Sequence, residues 1–149
     1  MGFFFLTHIV CPYQFFPCEK SYYDDHQEEI DELCNDQVEL TPFVLQPEGE
    51  SGPQLDAITI IPNHQKREAP ENQKWIVFAL PNIINHQNPI IHTFLINLAR
   101  HTGLCIATTN YRGARKEPRH RPQNMQNLAN DFHYLVKTRL ATYSPSRVD

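Results

Sequence analysis

The chain has 149 residues, a formal net charge of −4, 40% apolar and 20% charged residues, twelve prolines and five glycines. That length suffices for one domain with a real core, and the ordinary apolar and charged fractions indicate a soluble globular class. So few glycines leave few places where backbone can approach a phosphate closely, which argues against phosphate-loop chemistry.

The charge is unevenly spread: residues 1–60 hold twelve acids and one base, whereas residues 61–149 hold five acids and twelve bases. The two halves are expected to attract each other. Cys11, Cys18, Cys34 and Cys105 show neither CxxC spacing nor the density of a small secreted framework, and read as reduced, structural thiols.

In chain order, residues 1–37 form an acidic and aromatic extension. The opening MGFFFL has no basic flank and Pro12 interrupts it early, so a packed segment or an interfacial foot is expected there rather than a secretory signal or a transmembrane segment. Cytoplasmic location is the default expectation, with export by a route that reads other signals left open. Gly2 does not mark myristoylation, because Leu6 occupies the position that needs a hydroxyl. Residues 23–35, YDDHQEEIDELCN, should form a solvated helix with Ile30, Leu33 and Cys34 as a thin apolar stripe. Asp24, Asp25, His26, Glu28 and Glu29 have ligand chemistry but neither calcium-loop spacing nor HExxH order, so no metal is assigned.

Residues 38–45 and 55–62 are rich in β-branched residues and flank the turn cluster PEGESGP, which predicts a β-hairpin or meander. Residues 64–73 read as an exposed connection. Residues 75–80, WIVFAL, are short, apolar and closed by Pro81 and Asn82, as suits a strand buried on both faces of a parallel sheet. A helix is predicted over residues 89–100: Pro89 suits a first helical turn, Ile90, Ile91, Phe94, Leu95 and Leu98 form a stripe, and Gly103 stops it. Residues 104–108 supply a second buried strand ending in Asn110, Tyr111, Arg112 and Gly113, so the stretch is one βαβ unit.

The following loop carries Arg115, Lys116, Arg119, His120 and Arg121. It reads as a solvated loop with anion binding as the functional alternative; without interleaved aromatics, nucleic acid is not an expected partner. Over residues 123–143, Met125, Leu128, Phe132, Leu135, Val136 and Leu140 fall on one helical face, predicting a second crossover helix. The strand that such a helix prepares for would lie beyond Asp149.

Between residues 38 and 149 this order resembles an α/β-hydrolase of the serine-nucleophile type, in the lipase and esterase style. The resemblance rests on WIVFALPN from Trp75, ATTNYRG from Ala107, the helix holding Asn130 and Asp131, and the closing SPSRVD. It implies a partial α/β-hydrolase fold of class α/β: an N-terminal β-meander, then a βαβ unit and a second crossover helix. It also implies that residues 75–80 lie between residues 104–108 and a later strand that runs into a GxSxG nucleophile elbow. The five glycines, at positions 2, 49, 52, 103 and 113, cannot be arranged into that motif. By position, Asn82 and Ile83 are the oxyanion-loop candidates, since Pro81 offers no N–H, and Asn110 to Gly113 form the family turn.

No catalytic residue is assigned and no cofactor is implied. Ser144 or Ser146 with His133 and Asp131 make no triad, because Asp131 and His133 are two apart on a helix and do not share a face. His86, His92 and His101 flank the first crossover helix, with His101 placed to favour its dipole. The expectation is therefore a truncated hydrolase-like chain, inactive as it stands, whose longer relatives would cleave an ester or acyl bond. The alternative is an interaction module that uses its acidic face or the edge from Trp75 to Leu80, where self-association is expected because no lysine, proline or inward charge guards it.

Overall fold

The computed structural model describes residues 22–47, 52–69, 72–80, 85–112 and 125–137. The predicted acidic helix is two pieces, α1 (Tyr22–Asp25) and α2 (Gln27–Cys34), separated at His26, whose Nδ1–H donates to the Tyr22 carbonyl at 2.9 Å. α2 ends where Asn35 and Asp36 adopt the left-handed region, with φ of 48° and 52°, a conformation that these short polar side chains tolerate better than most.

β1 (Val38–Leu45) and β2 (Leu55–Pro62) pair antiparallel over their whole length, from Val38 opposite Pro62 to Leu45 opposite Leu55. β1 is an edge strand, which accommodates Pro42 and its missing donor. β3 (Trp75–Val77), α3 (Pro89–Thr102) and β4 (Cys105–Thr109) form the expected parallel crossover, with Trp75 opposite Cys105 and Val77 opposite Ala107. α4 (Met125–Leu135) follows; the predicted continuation to residue 143 lies outside the described residues.

Among the described residues the sheet is mixed and four-stranded, in the order β1-β2-β4-β3. β1 and β2 form the expected hairpin; β2 also neighbours β4, antiparallel, and β3 lies on the far side of β4. The reason is the packing of α3, which lies against β1, β2 and β4 and so returns the chain beside β2. Apolar clusters cover both sheet faces. One joins Ile58, Ile60 and Ile106 to Ile30 of α2 and to Leu95, Ile96 and Ala99 of α3; the other joins Ala57 and Ala107 to Leu135 of α4. The alternation of neighbouring residues between the two clusters follows from the strand period of two.

α3 is capped as its sequence suggests. The Asn88 side chain accepts from the Ile90 N–H, Pro89 opens the first turn, and Gly103 at φ 68° donates its N–H to the Ala99 carbonyl. Its buried face differs from the predicted stripe. Ile91, His92, Leu95, Ile96 and Ala99 face inward, while Ile90 is 78% and Phe94 47% exposed. The helix has apolar residues on a wide arc, and the sheet selects the part rotated about one residue from the expected one.

β3 is also shorter than residues 75–80. Beyond Val77 the chain stays tied to β4 by the Phe78 N–H on the Ala107 carbonyl at 2.8 Å and by the Thr108 hydroxyl on the Phe78 carbonyl at 2.6 Å. A side-chain hydroxyl replaces the next ladder bond, so the strand ends there. The opposite charges of the two halves do meet, in an exposed pair between Lys66 and Glu39 that lowers the Glu39 pKa through the hydrogen bond from Lys66. Cys34 and Cys105 are free and buried.

Candidate functional site

The predicted turn after β4 lies at the carboxyl end of the parallel pair, where open α/β sheets bind ligands. Asn110 and Arg112 are buried and Tyr111 is half-buried. Each side chain fastens a different element. The Asn110 Oδ1 accepts the His86 N–H at 2.9 Å, and the Tyr111 hydroxyl donates to the Leu80 carbonyl at 2.6 Å. Arg112 donates twice to Asp131 of α4, from Nε to Oδ2 at 2.8 Å and from a terminal nitrogen to Oδ1 at 2.5 Å. A planar guanidinium fork suits this bidentate geometry, which a lysine would not reproduce.

Asn82 and Ile83, the oxyanion-loop candidates, and Gly113 lie outside the described residues. The nearest described residues on either side are held: Leu80 by Tyr111 and His86 by Asn110. Adjacent residues of the turn, Tyr111 and Asn110, therefore fix Leu80 and His86, which flank residues 81–84 in the sequence.

His86 is at the centre of a buried network that its sequence position does not announce. Its ring is fully buried; Nε2 lies 3.0 Å from the Asp56 carbonyl and Nδ1 2.6 Å from the Tyr23 hydroxyl. A carbonyl oxygen only accepts, so Nε2 carries the proton and Nδ1 accepts from Tyr23. The Asp56 carbonyl also receives the Asn110 N–H at 2.8 Å. Burial pushes the His86 pKa down to about 4, against smaller opposing contributions from the Asp56 carbonyl and charge, so the imidazole is neutral near pH 7. His92 is lowered by the same cause. Tyr22 stacks on His26 at 4.3 Å and leans on His92 at 5.8 Å, so α1, α3 and the loop before α3 meet in a cluster of phenols and imidazoles.

The hydrogen bonds of this arrangement position the elements that meet there. Thr108 and Thr109 are buried and hydrogen-bonded, and burial pushes the Cys105 thiol up to about 11, far from a thiolate. Asp131 and His133 do lie on different faces, the first buried on Arg112 and the second exposed, as their spacing implies. His101 donates from Nδ1 to the Asn97 carbonyl at 2.7 Å in the last turn of α3. Among the described residues, no group of three His, Cys, Asp or Glu is placed to hold a metal ion, and no helix is long and apolar enough to cross a membrane.

Tyr23, His86 and the Arg112–Asp131 pair were not identified from the sequence as partners. Tyr23 and His86 are 63 residues apart and Arg112 and Asp131 are 19 apart, so no local pattern links them. An aspartate at a core-facing position of an otherwise apolar helical stripe was the one available signal. Compared with family models, with curated proteins and with solved structures, the chain matches none.

Proposed function

We propose that residues 38–137 form the amino-terminal part of an α/β-hydrolase-type scaffold, and that the chain does no acyl transfer by itself. The observation that carries this reading is the strand arrangement. β4 runs parallel to β3 and antiparallel to β2, with β3 outermost. The resemblance implies residues 75–80 between residues 104–108 and an elbow strand, and the parallel pairing of β3 with β4 supports that reading. Asn110 and Tyr111 hold His86 and Leu80, the nearest described residues on either side of Asn82 and Ile83, which is the support an oxyanion loop needs. Longer polypeptides with this scaffold would cleave an ester or acyl bond through a covalent serine intermediate.

The test is hydrolysis of p-nitrophenyl esters of short and long acyl chains by the purified chain. Background rates are expected throughout. Activity that copurifies with the protein and disappears on Ser144→Ala or Ser146→Ala would overturn the reading.

One observation favours a second reading, in which the chain is an interaction module. At β3, the last strand of the sheet among the described residues, Ile76, Val77 and Phe78 are only half-buried, Ala79 is exposed, and Phe94 and Ile90 of α3 add apolar surface, Phe94 packing on Phe78 at 5.7 Å. An apolar edge without a charged gatekeeper is a template for another strand. Light scattering should show self-association that Ala79→Lys reduces; a monodisperse monomer near 17.4 kDa before any substitution would refute it.

A further inference from the structure

α1 and α2 are held to the rest of the chain by two different kinds of contact. At the carboxyl end, Arg100 of α3 donates to the Leu33 carbonyl at 3.2 Å and to the Gln37 side chain at 3.1 Å, fixing the last turn of α2 and the approach to β1. At the amino end the contacts are rings: Tyr22 stacks on His26 and leans on His92, and Tyr23 reaches His86. Neither helix adds a strand to the sheet, so their docking can be lost without breaking a ladder.

The amino end depends on the charge of His92. That residue is 4% exposed, and its Nδ1 has no hydrogen-bond partner among the described residues. A neutral imidazole tolerates a bare Nδ1 as an unused acceptor, but an imidazolium carries an N–H at both nitrogens and would bury a donor that nothing receives. The charged form is therefore disfavoured where His92 lies and favoured in water.

The surrounding charges act in the same sense on balance. Burial is the largest influence on His92 and lowers its pKa; the Gln87 backbone raises it, His26 lowers it, and Glu29 of α2 raises it, leaving the group below its ordinary value. Tyr22 of α1 is a neutral phenol, its pKa pushed up by burial and by Glu29. His86, in the loop before α3, is a further imidazole that repels a charged His92. The sheet residues of this core, Ile58, Ile60 and Ile106, bring no charge, and Arg100 and His101 lie in the last turn of α3. With the docked pKa depressed, docking is fully favoured above the ordinary value of 6.5 and is lost progressively as pH falls below it.

We propose that α1 and the first turn of α2 form an acid-released latch: protonation of His92 breaks the ring contacts with Tyr22 and His26, and this end swings out about the carboxyl end of α2 that Arg100 holds, while the sheet stays folded. Tyr23 and Ile30 then leave the cluster that contains Leu95 and Ile96, so the acid state presents an apolar surface that the neutral state covers.

The test is native-state hydrogen exchange of the full chain at about pH 7.5 and about pH 5, with each rate divided by the intrinsic rate at that pH. Protection at the His26 and Ile30 amides, which donate to the Tyr22 and His26 carbonyls, is expected to fall about tenfold or more, the effect of one unit of pKa displacement, while the Phe78 and Cys105 amides of the sheet change less than about threefold. His92→Gln should abolish the fall. Two further variants, read at Ile30, carry opposite signs: His26→Gln removes a like charge and should shrink the acid effect, whereas Glu29→Gln removes the acid that favours a charged His92 and should enlarge it. These two decide the matter if His92→Gln fails to fold. Unchanged protection at His26 and Ile30, an equal loss at Phe78 and Cys105, a His92→Gln variant that responds as the wild type does, or either of the other variants moving the effect in the opposite sense would each overturn the proposal.

Discussion

Replacing Asp131 by alanine should cost the domain about 3–5 kcal/mol, although neither Asp131 nor its partner touches a candidate ligand. The side chains of Arg112 and Asp131 are 7% and 3% exposed, and the carboxylate takes both prongs of the guanidinium. Removing the carboxylate leaves an always-charged group in the junction of β4 and α4 without the two charge-assisted hydrogen bonds it makes to Asp131. Small domains have total stabilities of about 5–15 kcal/mol, so this loss is a large fraction of the whole. In a urea titration followed by circular dichroism, with a slope of roughly 2 kcal/mol/M, the midpoint should fall by about 2 M. The paired control is Arg112→Met with Asp131→Leu, which removes both charges at similar volume and should recover most of the loss, because neither ion is then buried alone. A midpoint shift below about 0.5 M for Asp131→Ala, or a double variant as unstable as the sum of its singles, would refute the reasoning.

The remaining predictions concern the packing of α3 and the His86 network. Leu95→Ala should cost about 2–5 kcal/mol in the same titration, since Leu95 is fully buried, whereas Phe94→Ala should cost less than about 2 because half of that ring already faces water; equal losses would mean that the helix presents a different face. His86 is depressed from 6.5 to about 4 in the folded chain, so between those values the unfolded state binds more protons. Stability should therefore be fully present above pH 6.5 and decline as pH falls toward 4, by about 3 kcal/mol in all. His86→Gln should flatten this part of the pH profile, and an unchanged slope would remove His86 as its source.

How much was legible in the sequence depended on the range of the interaction. The bounds of β1 and β2 follow from two runs rich in β-branched residues broken by the cluster after Leu45, and those of α3 from Pro89 and Gly103, all of which act within a turn or two of chain. The parallel pairing of β3 with β4 follows nearly as directly, because two short apolar strands joined by a helix admit few other arrangements. Local pattern also placed Asn110, Tyr111 and Arg112 together at the end of β4, though not what each of them holds.

Tertiary packing decided the rest. α3 carries apolar residues on too wide an arc for its stripe to name a face, and only the sheet beneath selects Ile91, Leu95, Ile96 and Ala99 over Ile90 and Phe94. The insertion of β4 between β2 and β3 reflects where that helix lies, a contact between elements far apart in the chain. The bonds from Tyr23 to His86 and from Arg112 to Asp131 exist because burial makes an unpaired polar group costly, and burial is known only once the chain has folded.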